Sequence, residues 1–241
     1  MARGTIYRDE GIVLRTYKLG EADRIVVFLT KGHGKVRAVA KGVRKTKSKF
    51  GSRLEPMSHC ALQFYEGREL DLVTQAETID HFRIIRENLE QISRGVSMLE
   101  VADQLAQEGE VNSELYRMLL GALRTLESNP SPLVTPAFFW KVLALEGFRP
   151  EVDSCVLCEA TDDLVAFDFE SGGVLCRRCR RGMAISPEAI QLLQLVLGGR
   201  LAEALAADNS QAVVVEVDQL AVRTVEHHLE RRLRSLNVLD H

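Results

Sequence analysis

The chain has 241 residues, 46% of them hydrophobic, and a formal net charge of −3. That is longer than the usual domain of about 100–150 residues, so two or three domains are expected. No run of about 18 apolar residues is present, and no apolar core follows the charged start MARGTIYRDEG, so neither a membrane span nor a secretory signal is expected and the reading is cytoplasmic.

Residues 5–79 read as five short strands. IVLRTYKL (12–19), RIVVFLT (24–30), KVRAVAKG (35–42), HCALQFY (59–65) and LDLVTQA (70–76) are rich in β-branched and aromatic residues. GEAD, GHG and EGRE make the breaks. Five strands in so short a stretch suit a small barrel or sandwich. In the third strand Val36, Ala38 and Ala40 share one face, and Lys35, Arg37, Val39 and Lys41 share the other. In the fourth, Cys60 falls with Leu62 and Phe64 and reads as a core thiol.

Charge is distributed unevenly. Residues 1–80 carry 15 Lys and Arg against 10 Asp and Glu, a net of +5, so the remainder is at −8. Between Arg24 and Leu54 there is no acidic residue. The run KGVRKTKSKFGSRLE occupies the long break between the third and fourth strands. A basic front on an acidic body points to a polyanion partner, the alternative being a solvated face. Lys35, Arg37, Lys41, Arg44, Lys45, Lys47, Lys49 and Arg53 are the candidate phosphate contacts. Phe50, inside the run, has two readings: a ring that stacks on a base, or an anchor that packs the loop into the barrel.

From about residue 80 the period becomes helical. Ile85, Leu89 and Ile92 form one predicted stripe, and Leu115, Leu119, Leu123 and Leu126 another. Thr135 and Pro136 read as the cap and first residue of a helix that Gly147 closes, with Phe138, Phe139 and Trp140 in its core. Ser186 and Pro187 open a further helix ending at Gly198 and Gly199. A last helix is expected over roughly 216–236, with Val222, Val225, Leu229, Leu233 and Leu236 as its stripe.

Between these helices lie Cys155-Val-Leu-Cys158, seventeen residues, and Cys176-Arg-Arg-Cys179. Two CxxC turns joined by a predicted hairpin around SGG aim four thiolates at one point, the spacing of a four-cysteine zinc site. Cys155, Cys158, Cys176 and Cys179 close the coordination sphere, so one structural Zn²⁺ is expected. A deaminase would need H-x-E ahead of P-C-x-x-C, and that pattern is absent. Arg177, Arg178, Arg180 and Arg181 form either a second anion patch or a solvated tip balanced by Asp162, Asp163, Asp168 and Glu170. There is no Walker A loop, no GxGxxG and no GxSxG, and no catalytic residue is identified.

KGVRKTKSKFGSRLEP after KVRAVAKG resembles the signature of the RecO family, in its zinc-bearing branch. IVLRTYKLGEADRIVVFLT resembles that family's first hairpin, and the paired cysteines set between helices complete the likeness over nearly the whole chain. The resemblance implies an α+β chain: an OB-fold-like nucleic-acid-binding barrel at 1–80, a helical domain at 81–150 and 186–241, and a zinc-finger-like element at 151–185. It implies a non-enzymatic recombination mediator in DNA repair. Such a protein binds single- and double-stranded DNA without strong sequence preference and anneals complementary strands. With RecR it helps load RecA onto DNA coated by single-strand binding protein, whose C-terminal tail is a partner. The implied location is the bacterial cytoplasm, at the nucleoid. An RNA- or ribosome-binding OB protein with a structural zinc is the alternative that the same charge pattern allows.

Overall fold

The computed structural model describes residues 4–230, 232, 233 and 235, in two compact units: residues 4–130 together with Ser235, and the described residues from Ser131 to Leu233. No helix among the described residues is long and apolar enough to cross a membrane.

The first unit is built on a closed five-stranded barrel. Its strands are β1 (Ile6–Leu19), β2 (Asp23–Thr30), β3 (Gly34–Ala40), β4 (His59–Tyr65) and β5 (Asp71–Asp80). They run in the order β1-β2-β3-β5-β4 and close on β1, the OB-type arrangement. Only the β3–β5 pairing is parallel. Closure rests on β1, which pairs β4 from Ile6 to Ile12 and β2 from Gly11 to Leu19. A register shift between Val13 and Arg15 bends the strand between its two partners. The alternation in the sequence then sends Val26, Phe28, Val36, Ala38, Ala40, Cys60, Leu62 and Phe64 into one core. Phe28 and Phe64 meet there edge to face, their ring centres 5.5 Å apart.

Helices α1 (Arg83–Arg86), α2 (Leu89–Leu105) and α3 (Ser113–Ser128) follow within this unit. The expected stripe of Ile85, Leu89 and Ile92 is not formed. Asn88 stops α1 and caps α2 by accepting from the Gln91 N–H, leaving Ile85 buried, Ile92 half-buried and Leu89 70% exposed. The face that α2 buries carries Ser97, Met98, Val101 and Ala102. α3 buries Leu115, Leu119, Leu123 and Leu126 as its period requires, and Asn112 caps it. A polar network, buried at His59 and Tyr116 and reaching the surface at Arg124, joins barrel and helix. His59 shares Nδ1 with Asp80 Oδ2 at 2.8 Å and Nε2 with the Tyr116 hydroxyl at 2.7 Å, and Arg124 Nη2 donates to the same Asp80 oxygen at 2.8 Å.

The second unit contains α4 (Val134–Leu145), β6 (Leu164–Asp168), β7 (Gly173–Cys176), β8 (Met183–Ala184), α5 (Pro187–Leu197), α6 (Leu201–Ala206) and α7 (Gln211–His228). α4 starts before the expected cap: Leu133 occupies that position and Thr135 lies inside the helix with its hydroxyl buried. Gly147, at φ +88°, closes the helix while the Phe148 N–H donates to the Leu143 carbonyl. Ser186 and Pro187 open α5 as expected, the Ser186 hydroxyl accepting from the Ala189 N–H. α7 begins at Gln211, because Ser210 caps it, and ends at His228. Its buried face is Val214, Val217, Leu220, Ala221, Thr224 and Val225. The expected stripe therefore shares only Val225 with it; Val222 and Leu229 are half-buried, Leu233 is buried beyond the helix, and Leu236 lies outside the described residues.

Candidate nucleic-acid interface and metal centre

The basic run leaves β3 at Ala40, makes turns through residues 41–50 and enters a short 3-10 turn at Gly51–Leu54. Gly42, at φ +67°, takes a conformation that a side chain would disfavour, and its N–H donates to Asp23 Oδ1 at 2.7 Å. The loop is held from inside by apolar residues. Val43, Phe50 and Leu54 belong to the barrel core, and Phe50 is 1% exposed. Phe50 is therefore the anchor and not a stacking platform, which removes it from the candidate DNA contacts.

The cations divide into two groups. Lys41, Lys45 and Lys47 are exposed, and their ammonium groups make no polar contact among the described residues. Arg44 is exposed, with one guanidinium nitrogen donating to the Glu21 carbonyl at 2.9 Å. The other four are tied to the protein to different degrees. Lys35 Nζ donates to the Asp103 carbonyl at 2.7 Å, and its side chain is only 14% exposed. Arg15 reaches the same buried Asp103 at 2.9 Å, so Lys35 helps fasten the barrel to α2 and is not available to a ligand. Arg37 is exposed opposite Glu108 at 3.4 Å. Lys49 Nζ caps the Thr74 carbonyl at 2.9 Å and lies 4.9 Å from the Phe50 ring centre. Arg53 Nη1 caps the Lys49 carbonyl at 2.9 Å.

The four paired cysteines come together. Cys155 and Cys158 sit on a knuckle in which the Cys155 N–H donates to the Ala160 carbonyl, while Cys176 ends β7 and Cys179 ends the 3-10 turn after it. All four Sγ atoms lie within 4.8 Å of one another, and Cys158 and Cys176 are 3.6 Å apart. Tetrahedral sulfurs on a metal–sulfur bond of about 2.3 Å are about 3.8 Å apart, so the cage has the size of such a site. Burial pushes the Cys155 thiol up, but backbone N–H groups of Cys176, Leu157 and Cys158 outweigh it and bring it to about 6. Cys179 is pushed up to about 12, first by its hydrogen bond with Cys158. A divalent cation relieves that competition, because it accepts all four sulfurs as thiolates.

The arginines around the second pair are exposed, and three of them are engaged by neighbouring groups. Arg177 holds Asp163 at 2.9 Å, Arg181 holds Asp168 at 3.0 Å, and the Arg178 guanidinium is raised first by its hydrogen bond to Cys176. Arg180 alone among the four has no partner among the described residues. The balanced tip fits these contacts better than an open anion patch.

Residues 1–82 match the family profile described as Recombination protein O N terminal, and residues 86–237 that described as Recombination protein O C terminal. The chain belongs to the RecO family. It is 44% identical over 249 residues to the DNA repair protein RecO of Streptomyces coelicolor, covering 98% of this chain and 99% of that protein. The Streptomyces griseus DNA repair protein RecO is 42% identical over 248 residues, and that of a Nocardioides species 42% over 247, with the same coverage. In this RecO-family chain the barrel and the four-cysteine cage stand where the sequence expects them. What the sequence reading missed is the use of Lys35 with Arg15 on Asp103, since the acceptor lies 68 residues away on a helix.

Proposed function

We propose that this chain is a DNA-binding recombination mediator whose barrel, residues 1–80, binds single- and double-stranded DNA through phosphates. The observation that carries the reading is the exposed trio Lys41, Lys45 and Lys47, with Arg44 beside it, on a loop that Phe50 fixes to the barrel core. Unpaired cations on an anchored loop meet phosphates without reorganising the protein. Such contacts ignore sequence and leave base edges free, so two strands held this way can pair. Annealing of complementary strands follows, and no catalytic group is needed. Membership of the family supports the further roles: action on DNA coated by single-strand binding protein through that protein's C-terminal tail, and loading of RecA together with RecR.

Cys155, Cys158, Cys176 and Cys179 hold one structural Zn²⁺ in this reading. The metal cross-links the knuckle to the end of β7 and leaves no open coordination position. Cys155→Ser and Cys176→Ser each lower bound zinc below one per chain and lower the melting midpoint; full zinc with an unchanged midpoint refutes the site. The functional test is annealing of complementary strands precoated with single-strand binding protein. Acceleration by the wild type, and its loss in a Lys41→Glu, Lys45→Glu, Lys47→Glu variant, is the expected outcome. Equal rates with and without the protein refute the mediator reading.

A further inference from the structure

The second unit carries a row of aromatic rings that neither the barrel nor the cysteine cage uses. Phe148 follows the end of α4 and is 48% exposed. It stacks on His228 with ring centres 4.0 Å apart and planes 26° from parallel. His228 meets His227 at 5.4 Å, and His227 meets Phe169 at 6.5 Å. The row then turns inward through Phe167 at 5.4 Å to Trp140 at 5.8 Å, both fully buried. The outer rings are therefore seated on a packed core and lose little freedom when something lies on them. Burial, and then the neighbouring His227, hold His228 below the ordinary histidine value, which favours the neutral ring.

The charges beside the row are mixed. Arg223, Glu226, Glu230 and Arg232 line a shallow depression together with Phe169 and His227. Glu226 is engaged, accepting the Leu233 N–H at 2.9 Å. Arg149, Arg223 and Arg232 are exposed, and none of them is paired with a carboxylate among the described residues. Phe148 and His227 are exposed, and His228 and Phe169 are half-buried. Accessible rings on a rigid base with unpaired guanidiniums beside them are the two elements from which sequence-tolerant single-strand sites are made. A lipid surface would select a larger aliphatic patch, and a folded protein would need more continuous apolar area.

We propose that Phe148, His228, His227 and Phe169 form a second nucleic-acid contact, a stacking platform for unpaired bases, with Arg149, Arg223 and Arg232 meeting the phosphates. It rests on the nucleic-acid reading given above and adds a site selective for single strands, because paired bases have no free faces to stack. A chain that holds phosphates on the barrel loop and unpaired bases on this row has two separate grips for strands about to anneal.

The test compares affinity for oligo-dT and for a duplex in wild type, Phe148→Ala and Phe148→Leu, with melting midpoints recorded for all three. Both variants weaken oligo-dT binding by at least about fivefold, leave duplex binding unchanged, and keep the wild-type midpoint. Photocrosslinks from a 5-iodouracil oligonucleotide fall on the peptides containing Phe148 and His227. Unchanged oligo-dT affinity, or crosslinks confined to residues 41–53, overturns the platform and leaves the barrel reading standing. Equal losses for duplex and single strand also overturn it, since they report a structural role. A wild-type chain that binds no nucleic acid at low salt overturns both readings together.

Discussion

Replacing Lys41, Lys45 and Lys47 together by glutamine tests the barrel loop most directly. All three are exposed, and their ammonium groups have no partner among the described residues, so their loss leaves the fold intact. Each phosphate contact on a single strand contributes about 0.7 to the slope of log affinity against log salt, so removing three lowers the slope by about 2. Salt rising from about 50 to about 200 mM is about 0.6 decades. The affinity gap between wild type and variant therefore narrows roughly 20-fold over that range. Fluorescence anisotropy with labelled oligo-dT at four salt concentrations measures it. Parallel lines for the two proteins would refute the assignment, because they mean that no counterion release is lost. Lys35→Gln is the internal control: this lysine is committed to Asp103, so the slope stays as in wild type while the melting midpoint falls.

Three further outcomes follow from the packing. Phe50→Ala empties a fully buried ring site and lowers the unfolding free energy by about 3–5 kcal/mol in urea titration; a loss under about 1 kcal/mol contradicts the anchor. Tyr116→Phe strips His59 Nε2 of its partner in a buried site and costs about 1–3 kcal/mol by the same measurement, with no change in the salt slope of DNA binding. Burial raises Asp80, but hydrogen bonds from His59 and Arg124 outweigh it and hold the carboxyl below its ordinary value. The group's contribution is therefore complete above the unfolded carboxyl pKa of about 4 and disappears as pH falls through the lower folded value. Melting midpoints of wild type and Asp80→Asn should converge as pH drops below about 4; a constant gap down to acid denaturation rules out that linkage.

The barrel could be read from the sequence because its strands alternate, and the alternation of Val36, Ala38 and Ala40 against Lys35, Arg37 and Lys41 is a local fact. Phe50 could not, because it sits in an irregular loop where no period separates an inward ring from an outward one. Its burial depends on where the loop crosses the barrel, which only the strand order fixes. The stop between α1 and α2 was overlooked although Asn88 followed by Gln91 is a capping signal, because Ile85, Leu89 and Ile92 matched a helical period by coincidence. Ser210 was a similar signal for the start of α7. The cysteine cage was recognisable because ligand spacing is a property of short turns. The pairings of Arg177 with Asp163 and Arg181 with Asp168 were foreshadowed only as a net balance of charge, since partner choice depends on the hairpin's geometry.

The order of strands around the barrel has a consequence for how the basic loop can change. β3 lies beside β5, so the chain leaving β3 must cross one end of the barrel to start β4 beside β1. On the way it drops Val43, Phe50 and Leu54 into the interior. The loop is thus a stopper as well as a handle. Lys41, Lys45 and Lys47 are free to vary, so grip on a polyanion can be raised or lowered at these three positions with little effect on the fold, whereas Arg44, Lys49 and Arg53 also hold backbone carbonyls. The length of the loop is not free. Shortening the crossing would pull the stopper out before it removed the last charge, and related chains should differ here in composition far more than in the number of residues.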